Sequence, residues 1–427
     1  MTYKRIGKYS YNLHIIKTDK FKTVTVLVNF KRKVKKEEIT ARNMLVNMLC
    51  ESNSVYKTKR EFEIATEDLY SLELRGSNYM SGKYTVMALD ITFLNEEYTE
   101  PGMLDKSIDF LYNAIFKPNI IKENNVVKFN PENYKLSYNV LKTRIQSIKE
   151  SPGYYARVRM LENMEPNSYC SYRSDGYIED LDDLDEAKLY KYYESVLNSD
   201  IIDIFVLGNV KESYIEKVIS SKFKEIRTFK KPSEKHFVLP KKRRLIPKTV
   251  KERLHVNQSK LVLGYKIDKM TDFEFRYVLN VYSYILGGGP DSKLFKDVRE
   301  KNSLCYHISS VSSPLYSLLA INAGINKKDF RKTLELIKKD VHKMKKGKFT
   351  NDDIMKAKVT YINSLKEIED SKTGILNLYA GIEYLNSDTI EDRFININKV
   401  TMKDVIRLAN KVHLDTVYLL EGDINEK

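Results

Sequence analysis

This chain is one pattern written twice. Leu27-Val28-Asn29-Phe30 and Leu261-Val262-Leu263-Gly264-Tyr265 are both apolar strand segments followed by a charged or polar stretch. A helix-length apolar pattern follows in each half, over 39–50 and 273–286. Leu74-Arg75-Gly76-Ser77-Asn78-Tyr79 then leads to Tyr84-Thr85-Val86-Met87-Ala88-Leu89, and Ile308-Ser309-Ser310-Val311 leads to Tyr316-Ser317-Leu318-Leu319-Ala320-Ile321. Each half closes on a strand, Ile204-Phe205-Val206-Leu207-Gly208-Asn209 and Val417-Tyr418-Leu419-Leu420-Glu421-Gly422. Leu27 and Leu261 are 234 residues apart, Tyr84 and Tyr316 are 232 apart, and so near-constant a shift across separate elements marks a duplication.

A duplication of this length dictates two cores, and 427 residues exceed what one core usually organises. Strands come early and late in each half, with helical patterns between them. Leu334, Ile337, Val341 and Met344 step by one helix face, and Thr350-Asn351-Asp352-Asp353 has the form of an N-cap with first-turn acids. The expectation is an α+β protein of two tandem repeats, each with helices packed on one face of an antiparallel-rich sheet. The boundaries expected are an N-terminal domain over 1–230, a basic proline-containing linker over 231–250 and a C-terminal domain over 251–427. Pro232, Pro240 and Pro247 interrupt that linker, and Lys241-Lys242-Arg243-Arg244 is its densest basic run. It is read as a solvated linker, with a phosphate-binding patch as the alternative.

The three cysteines, Cys50, Cys170 and Cys305, are far apart and form no CxxC pair, which argues against a disulfide scaffold and for reduced thiols. The N-terminus is polar and runs into a strand, and no apolar run approaches the length of a bilayer span. A cytoplasmic protein with no membrane partner is therefore expected. The net charge of +15 is spread along the chain, mostly as lysine, without the arginine-rich arm or aromatic-basic stacking of nucleic-acid modules. No nucleic-acid partner is expected.

The stretch Gly287-Gly288-Gly289-Pro290-Asp291-Ser292 through Arg299 to Tyr306 reads as a glycine turn, a short helix and a strand. The glycines lack the Lys-Ser/Thr of a nucleotide-binding loop. Arg299 offers a rigid fork of donors, and Tyr306 offers a hydroxyl that can stabilise an oxyanion. This segment resembles the C-terminal half-site of the pitrilysin/insulinase-type zinc peptidases, which include the mitochondrial processing peptidases, and the likeness covers essentially the whole chain. The resemblance implies two halves facing each other as a clamshell around a peptide. It also implies that Arg299 and Tyr306 bind the substrate backbone and polarise the scissile carbonyl.

In catalytic members of that family the first long helix carries His-x-x-Glu-His. Two histidines at i and i+4 share a face and bind one zinc, and the Glu activates the metal-bound water. Here the matching helix reads Asn43-Met44-Leu45-Val46-Asn47-Met48-Leu49. Its apolar frame fits, but Asn43 and Asn47 stand at the ligand positions and Val46 at that of the base. The downstream ligand is expected near Lys142 to Arg144, where no carboxylate lies between Glu132 and Glu150. The six histidines never pair at i, i+3 or i+4. Cys305 and His307, two apart on a strand, would face one side but lack a third ligand.

Some bacterial members of the family work as two chains, one with the zinc motif and one without it that keeps the Arg/Tyr pair. The resemblance to the second kind implies a non-catalytic subunit with no autonomous catalytic residue, no metal and no cofactor. It would supply Arg299 and Tyr306 in trans to a zinc-motif-bearing paralogous subunit, which alone would carry zinc, and the substrate would be a peptide. The same resemblance associates this branch with elongation factor P modification. Residues 76–89 are expected to add an edge strand along which an extended peptide could lie. The alternative is a structural or peptide-binding pseudopeptidase that takes no part in chemistry.

Overall fold

The computed structural model describes residues 1–226, 236–239 and 241–422. The chain divides into two compact units. The first combines Met1–Gln146 with the segment that begins at Arg173, and the second combines Ser147–Tyr172 with the segment that begins at His236.

The first unit holds β1 (Thr2–Gly7), β2 (Asn12–Lys17), β3 (Thr23–Lys33), β4 (Glu73–Ser81), β5 (Tyr84–Leu94), the small hairpin β6 (Ile120–Glu123) and β7 (Val126–Phe129), and β8 (Ile201–Gly208). Its main sheet has the order β1-β2-β8-β3-β5-β4. The second unit holds β9 (Lys248–Leu254), β10 (Ser259–Ile267), β11 (Cys305–Ser313), β12 (Leu318–Ile325) and β13 (Val412–Gly422), in the order β11-β12-β10-β13-β9. Leaving β1 aside, the two sheets are the same: β4-β5-β3-β8-β2 answers β11-β12-β10-β13-β9. Even the single parallel pairing recurs, β2 with β8 and β9 with β13, while the remaining pairs are antiparallel. Each strand match read from the sequence falls on one of these equivalent pairs. The fold class is α+β, as tandem repeats of helices on an antiparallel-rich sheet.

Central strands such as β3 alternate β-branched and apolar residues, and Val24, Val26, Val28 and Phe30 enter the first core. There they meet the helices Ile39–Leu49, Met103–Phe116 and Pro131–Gln146. The equivalent face of the second sheet, with Leu261, Leu263, Tyr265, Val417 and Leu419, packs on the helices Leu279–Gly287, Phe330–Lys345 and Met402–Asn410. In the helix Phe330–Lys345, Ile337, Val341 and Met344 are buried. Thr350 caps the following helix in a reciprocal box with Asp353.

Two expectations about layout need correction. The second sheet is covered on both faces, because Tyr155, Ala156, Met160 and Met164 of the helix Pro152–Met164 pack on Val262, Leu318, Tyr418 and Leu420. Those four sheet residues point away from the main core, and their apolar character requires a second cover. That helix therefore belongs to the second unit, although the sequence reading placed it inside a domain over 1–230. The linker over 231–250 is also not one solvated tract. Lys248–Leu254 is a paired strand, and Arg244 is tied to Asp415, to Thr416 Oγ1 at 3.1 Å and to the Asn163 carbonyl at 3.1 Å. Residues 231–235, with Pro232, and Pro240 lie outside the described residues.

Candidate functional site

The helix Ile39–Leu49 is bolted to its sheet by charge. Arg42 is fully buried and donates to Asp200 at 2.6 Å, to the Phe30 carbonyl at 2.5 Å and to Tyr192 Oη at 3.2 Å. Arg32 reaches the other oxygen of Asp200 at 2.5 Å. Burial works against both guanidinium charges, and Asp200 more than offsets it, so both pKa values rise. Removing Asp200 would leave the buried Arg42 without a carboxylate, while Arg32 would keep Glu38 at 2.9 Å.

Of the three positions matched to the metal motif on this helix, Asn43 and Val46 are engaged in structure. Asn43 is buried, and its amide Nδ2 donates to the Ile39 carbonyl at 2.9 Å and to the Ser174 carbonyl at 2.7 Å. Val46 is buried against β4, where a Cβ added at Gly76 would lie 2.8 Å from Val46 Cγ2 and 2.6 Å from Cys50 Sγ. Asn47 is half-buried, with its amide nitrogen shielded from solvent and unpartnered. The Cys50 thiol, one turn past Val46, is pushed up to about 12 by burial.

These residues do not fit a zinc ion. Neutral amides are poor ligands, and the Asn43 side chain is already committed to two backbone carbonyls. The helix Pro131–Gln146 packs on Ile39–Leu49 through Tyr134, Ser137, Leu141 and Ile145, a row without a carboxylate. Ser137 donates instead to Glu51 at 2.9 Å, just beyond the end of the first helix. Lys142 is half-buried, and Thr143 and Arg144 are exposed. Among the described residues, no group of three His, Cys, Asp or Glu side chains gathers around Asn43 and Asn47.

The Arg/Tyr segment is organised differently. The helix Leu279–Gly287 ends against β11, where a Cβ at Gly287 would lie 2.8 Å from the Ser310 backbone nitrogen and 2.9 Å from Leu294 Cδ1. Only glycine permits that approach. Gly288 is pressed on its own helix, 2.6 Å from Tyr284 Cα by the same measure, whereas Gly289 has no neighbour within 3.4 Å. Close packing is thus confined to the first two glycines.

Arg299 lies in a run of π-helical turns, Phe295–Glu300, and such turns are frequent at functional sites. Its guanidinium sits over the Phe295 ring at 4.6 Å and is exposed to solvent. The run is tethered to the helix Phe330–Lys345 by Lys343, which bonds Asp297 and reaches Asp340 Oδ1 at 2.7 Å. Burial and then the nearby Asp297 carboxylate raise the Asp340 pKa. Lys301 and Lys343 hold the Asp297 carboxyl well below the usual carboxylate range against its own partial burial.

Tyr306 is the extra residue of a β-bulge. Cys305 pairs with Ile325 and His307 with Gly324, so Tyr306 has no opposite number. A bulge re-aims side chains, and Tyr306 is 74% exposed on an edge strand. The bulge also overturns an expectation. Cys305 and His307 do not share a face: Cys305 is buried and His307 exposed, because the inserted residue reverses the alternation of the strand. The Cys305 thiol is pushed up to about 11 by burial, with Arg299 close enough to pull the other way. Arg299 and Tyr306 thus flank one buried thiol at the start of β11. The bulge and the π-helical run had no sequence signal beyond the crowding of Gly287 and Gly288.

The peptide-binding edge is corrected in detail. In the first sheet β4 is the edge strand, whereas β5 is paired on both sides, so of residues 76–89 only 76–81 lie on an edge. β11 is the equivalent edge of the second sheet.

Comparison with known proteins shows what the chain is similar to. A family model described as the peptidase M16 inactive domain matches residues 183–361. The chain is 29% identical to the probable inactive metalloprotease YmfF of Bacillus subtilis, over 96% of this chain and 95% of that one. It is 24% identical to an uncharacterized zinc protease, YmxG, of the same species, over 66% and 69% of the two chains. A conserved protein from Enterococcus faecalis superposes over the whole of both chains with a TM-score of 0.90 at 27% identity. The peptidase M16 inactive domain from Pseudomonas fluorescens superposes with a TM-score of 0.81 at 16% identity, over 100% and 99% of the chains, and speaks to the fold alone.

Proposed function

We propose, from the premise that this chain is an inactive homologue of the M16 metallopeptidases, that it is the non-catalytic subunit of a two-chain zinc peptidase. In this reading Arg299 and Tyr306 are lent in trans to a zinc-bearing paralogous subunit, and the shared substrate is an extended peptide. The observation that carries the proposal is a contrast in upkeep. At the positions matched to the zinc motif Asn43 is committed to two backbone carbonyls and Val46 is buried, while Arg299 and Tyr306 are exposed beside two irregular backbone devices.

The chemistry follows from the groups available. The Arg299 fork can donate to two carbonyl oxygens of a peptide, and the Tyr306 hydroxyl can donate to an oxygen on which charge develops. Neither group supplies a nucleophile, so hydrolysis depends on the partner. The free outer edge of β11 suits a strand-like substrate, whose backbone would pair there while its side chains alternate.

The test is peptide cleavage by this protein alone, by the zinc-motif paralogue alone, and by the mixture, with and without chelator. Activity confined to the mixture is expected, with Tyr306→Phe lowering turnover by about 10²-fold, as for loss of one oxyanion donor. A mixture whose turnover ignores Arg299→Ala and Tyr306→Phe would refute lending in trans. It would favour instead a subunit that binds peptide along its free edges without assisting the reaction.

A further inference from the structure

The basic run at 241–244 is split by the structure into tethered and free members. Arg244 is fixed to Asp415 and Thr416, and Lys241 donates to the Pro166 carbonyl at 2.9 Å. Downstream, Lys248 opens β9 and reaches Asn163 at 2.9 Å. The chain is therefore pinned on both sides of Leu245-Ile246. Those two side chains are 93% and 84% exposed, the two highest values among the apolar residues of the second unit. Single exposed apolar residues are ordinary, but two adjacent ones held out on a pinned loop leave almost their whole apolar surface in water.

The carboxylates beside this tip, Glu165 and Asp415, are taken up by Lys266 and Arg244. Lys242 and Arg243 are exposed, and neither pairs with a carboxylate among the described residues. Burial lowers the pKa values of Lys345 and His413, and the nearby Arg243 charge adds to it in both. The acid facing this group is Asp268, which pairs with His413 at 3.0 Å. Like charges gathered in this way are eased by an anion arriving from outside.

From this juxtaposition of an outthrust Leu245-Ile246 pair with unpaired Lys242 and Arg243, we propose that the loop 241–247 is a reversible anchor for an anionic lipid surface. A lipid surface suits the geometry better than a protein partner. Two side chains make a point rather than a face, and a stable protein interface needs on the order of 1,000 Å² with a packed centre. A point can enter the boundary between headgroups and acyl chains, while the flanking cations meet anionic headgroups. Among the described residues no helix is long and apolar enough to cross a membrane. That bears on spanning and leaves surface attachment open, so the expectation of no membrane partner is revised here.

The experiment is co-sedimentation of the full chain with vesicles of phosphatidylcholine alone and with about one-third phosphatidylglycerol, at low and moderate salt. Binding is expected on the anionic vesicles, weakening as salt rises. Leu245→Ser with Ile246→Ser, and separately Lys242→Gln with Arg243→Gln, should each lower partitioning at least tenfold. Thermal unfolding should be unchanged in both variants, since all four side chains are exposed. Equal binding to neutral vesicles, no binding by the parent chain, or indifference to either pair of substitutions would overturn the proposal. So would loss of assembly with a paralogous subunit in Leu245→Ser/Ile246→Ser, because the tip would then be a protein contact.

Discussion

The helix Ile39–Leu49, which packs on the edge strand β4, and the segment Phe295–Ser313, which runs into the edge strand β11, carry the two sets of candidate residues in the two repeats. They have met opposite ends. In the first, the positions for metal chemistry have been absorbed into packing: Asn43 ties the helix to Ser174, and Val46 fills the space that Gly76 leaves. In the second, a π-helical run and a bulge keep two polar side chains in water at some cost to regular structure. On the proposed reading, the first site has relaxed toward ordinary core and the second keeps its irregularities because it is used. Sequence motifs alone do not separate these cases, because they report which residues are present and not what holds them.

The sharpest way to break this comparison is to restore the metal motif. Asn43→His, Val46→Glu and Asn47→His together would put an ionisable side chain where Gly76 and Cys50 leave no room for it. The variant is expected to lose about 4 kcal/mol in denaturant unfolding and to bind no stoichiometric zinc by elemental analysis. Tight zinc binding with parental stability would show that the first site is dormant rather than dismantled.

A smaller effect is expected on the other side. Gly287→Val drives a side chain into Ser310 and Leu294, and should cost about 2 kcal/mol in thermal or chemical melts. It should also displace the π-helical run, so any stimulation of a partner peptidase should fall with it. Asn43→Ala removes two donated bonds and leaves the Ser174 carbonyl to find water. About 1–2 kcal/mol is expected, and a neutral result would mean that Asn43 is not a structural replacement.

Arg299→Ala and Tyr306→Phe should change stability by less than about 0.5 kcal/mol, since both side chains are exposed. Measured melts that drop by several times that amount would recast the pair as structural. The smallest effect concerns pH. The Asp340 pKa is raised in the folded protein by burial and by Asp297, so this carboxyl takes up its proton at higher pH than in the unfolded chain. Asp340 therefore adds stability as pH falls from neutral toward its unfolded value, relative to Asp340→Asn. Asp297 is shifted downward and works oppositely, losing its contribution as pH falls through its depressed folded value. Stability curves for the parent and the single variant that run parallel from pH 7 to 4 would discount the tether.

Much of this was readable in the residues. The repeat was legible because paired strands carry dense apolar runs whose spacing survives insertions, and the strand pairs from Leu27 and Leu261 onward fall on equivalent positions. That residues 43, 46 and 47 lack zinc-binding chemistry was legible, because amides and a valine are poor ligands and bases. The bulge at Tyr306 was not, since a one-residue insertion leaves the strand pattern intact on either side of it. Nor was the allegiance of the helix Pro152–Met164. Its apolar face announces burial, but no local signal tells which sheet it covers. The pinning of Arg244 depended on Asp415, some 170 residues away, and separations of that size lie beyond any local pattern.

That helix carries a consequence for how the protein is made. Tyr155, Ala156, Met160 and Met164 leave the ribosome well before β10 and β13, whose residues cover them. At about 5–20 residues per second, the wait for β13 is on the order of 10–50 s. Through that interval the nascent chain carries a sticky apolar face with no native place to put it. Its safe birth should therefore depend on a chaperone or on slow, shielded emergence, more than would a chain whose two halves were cleanly separable.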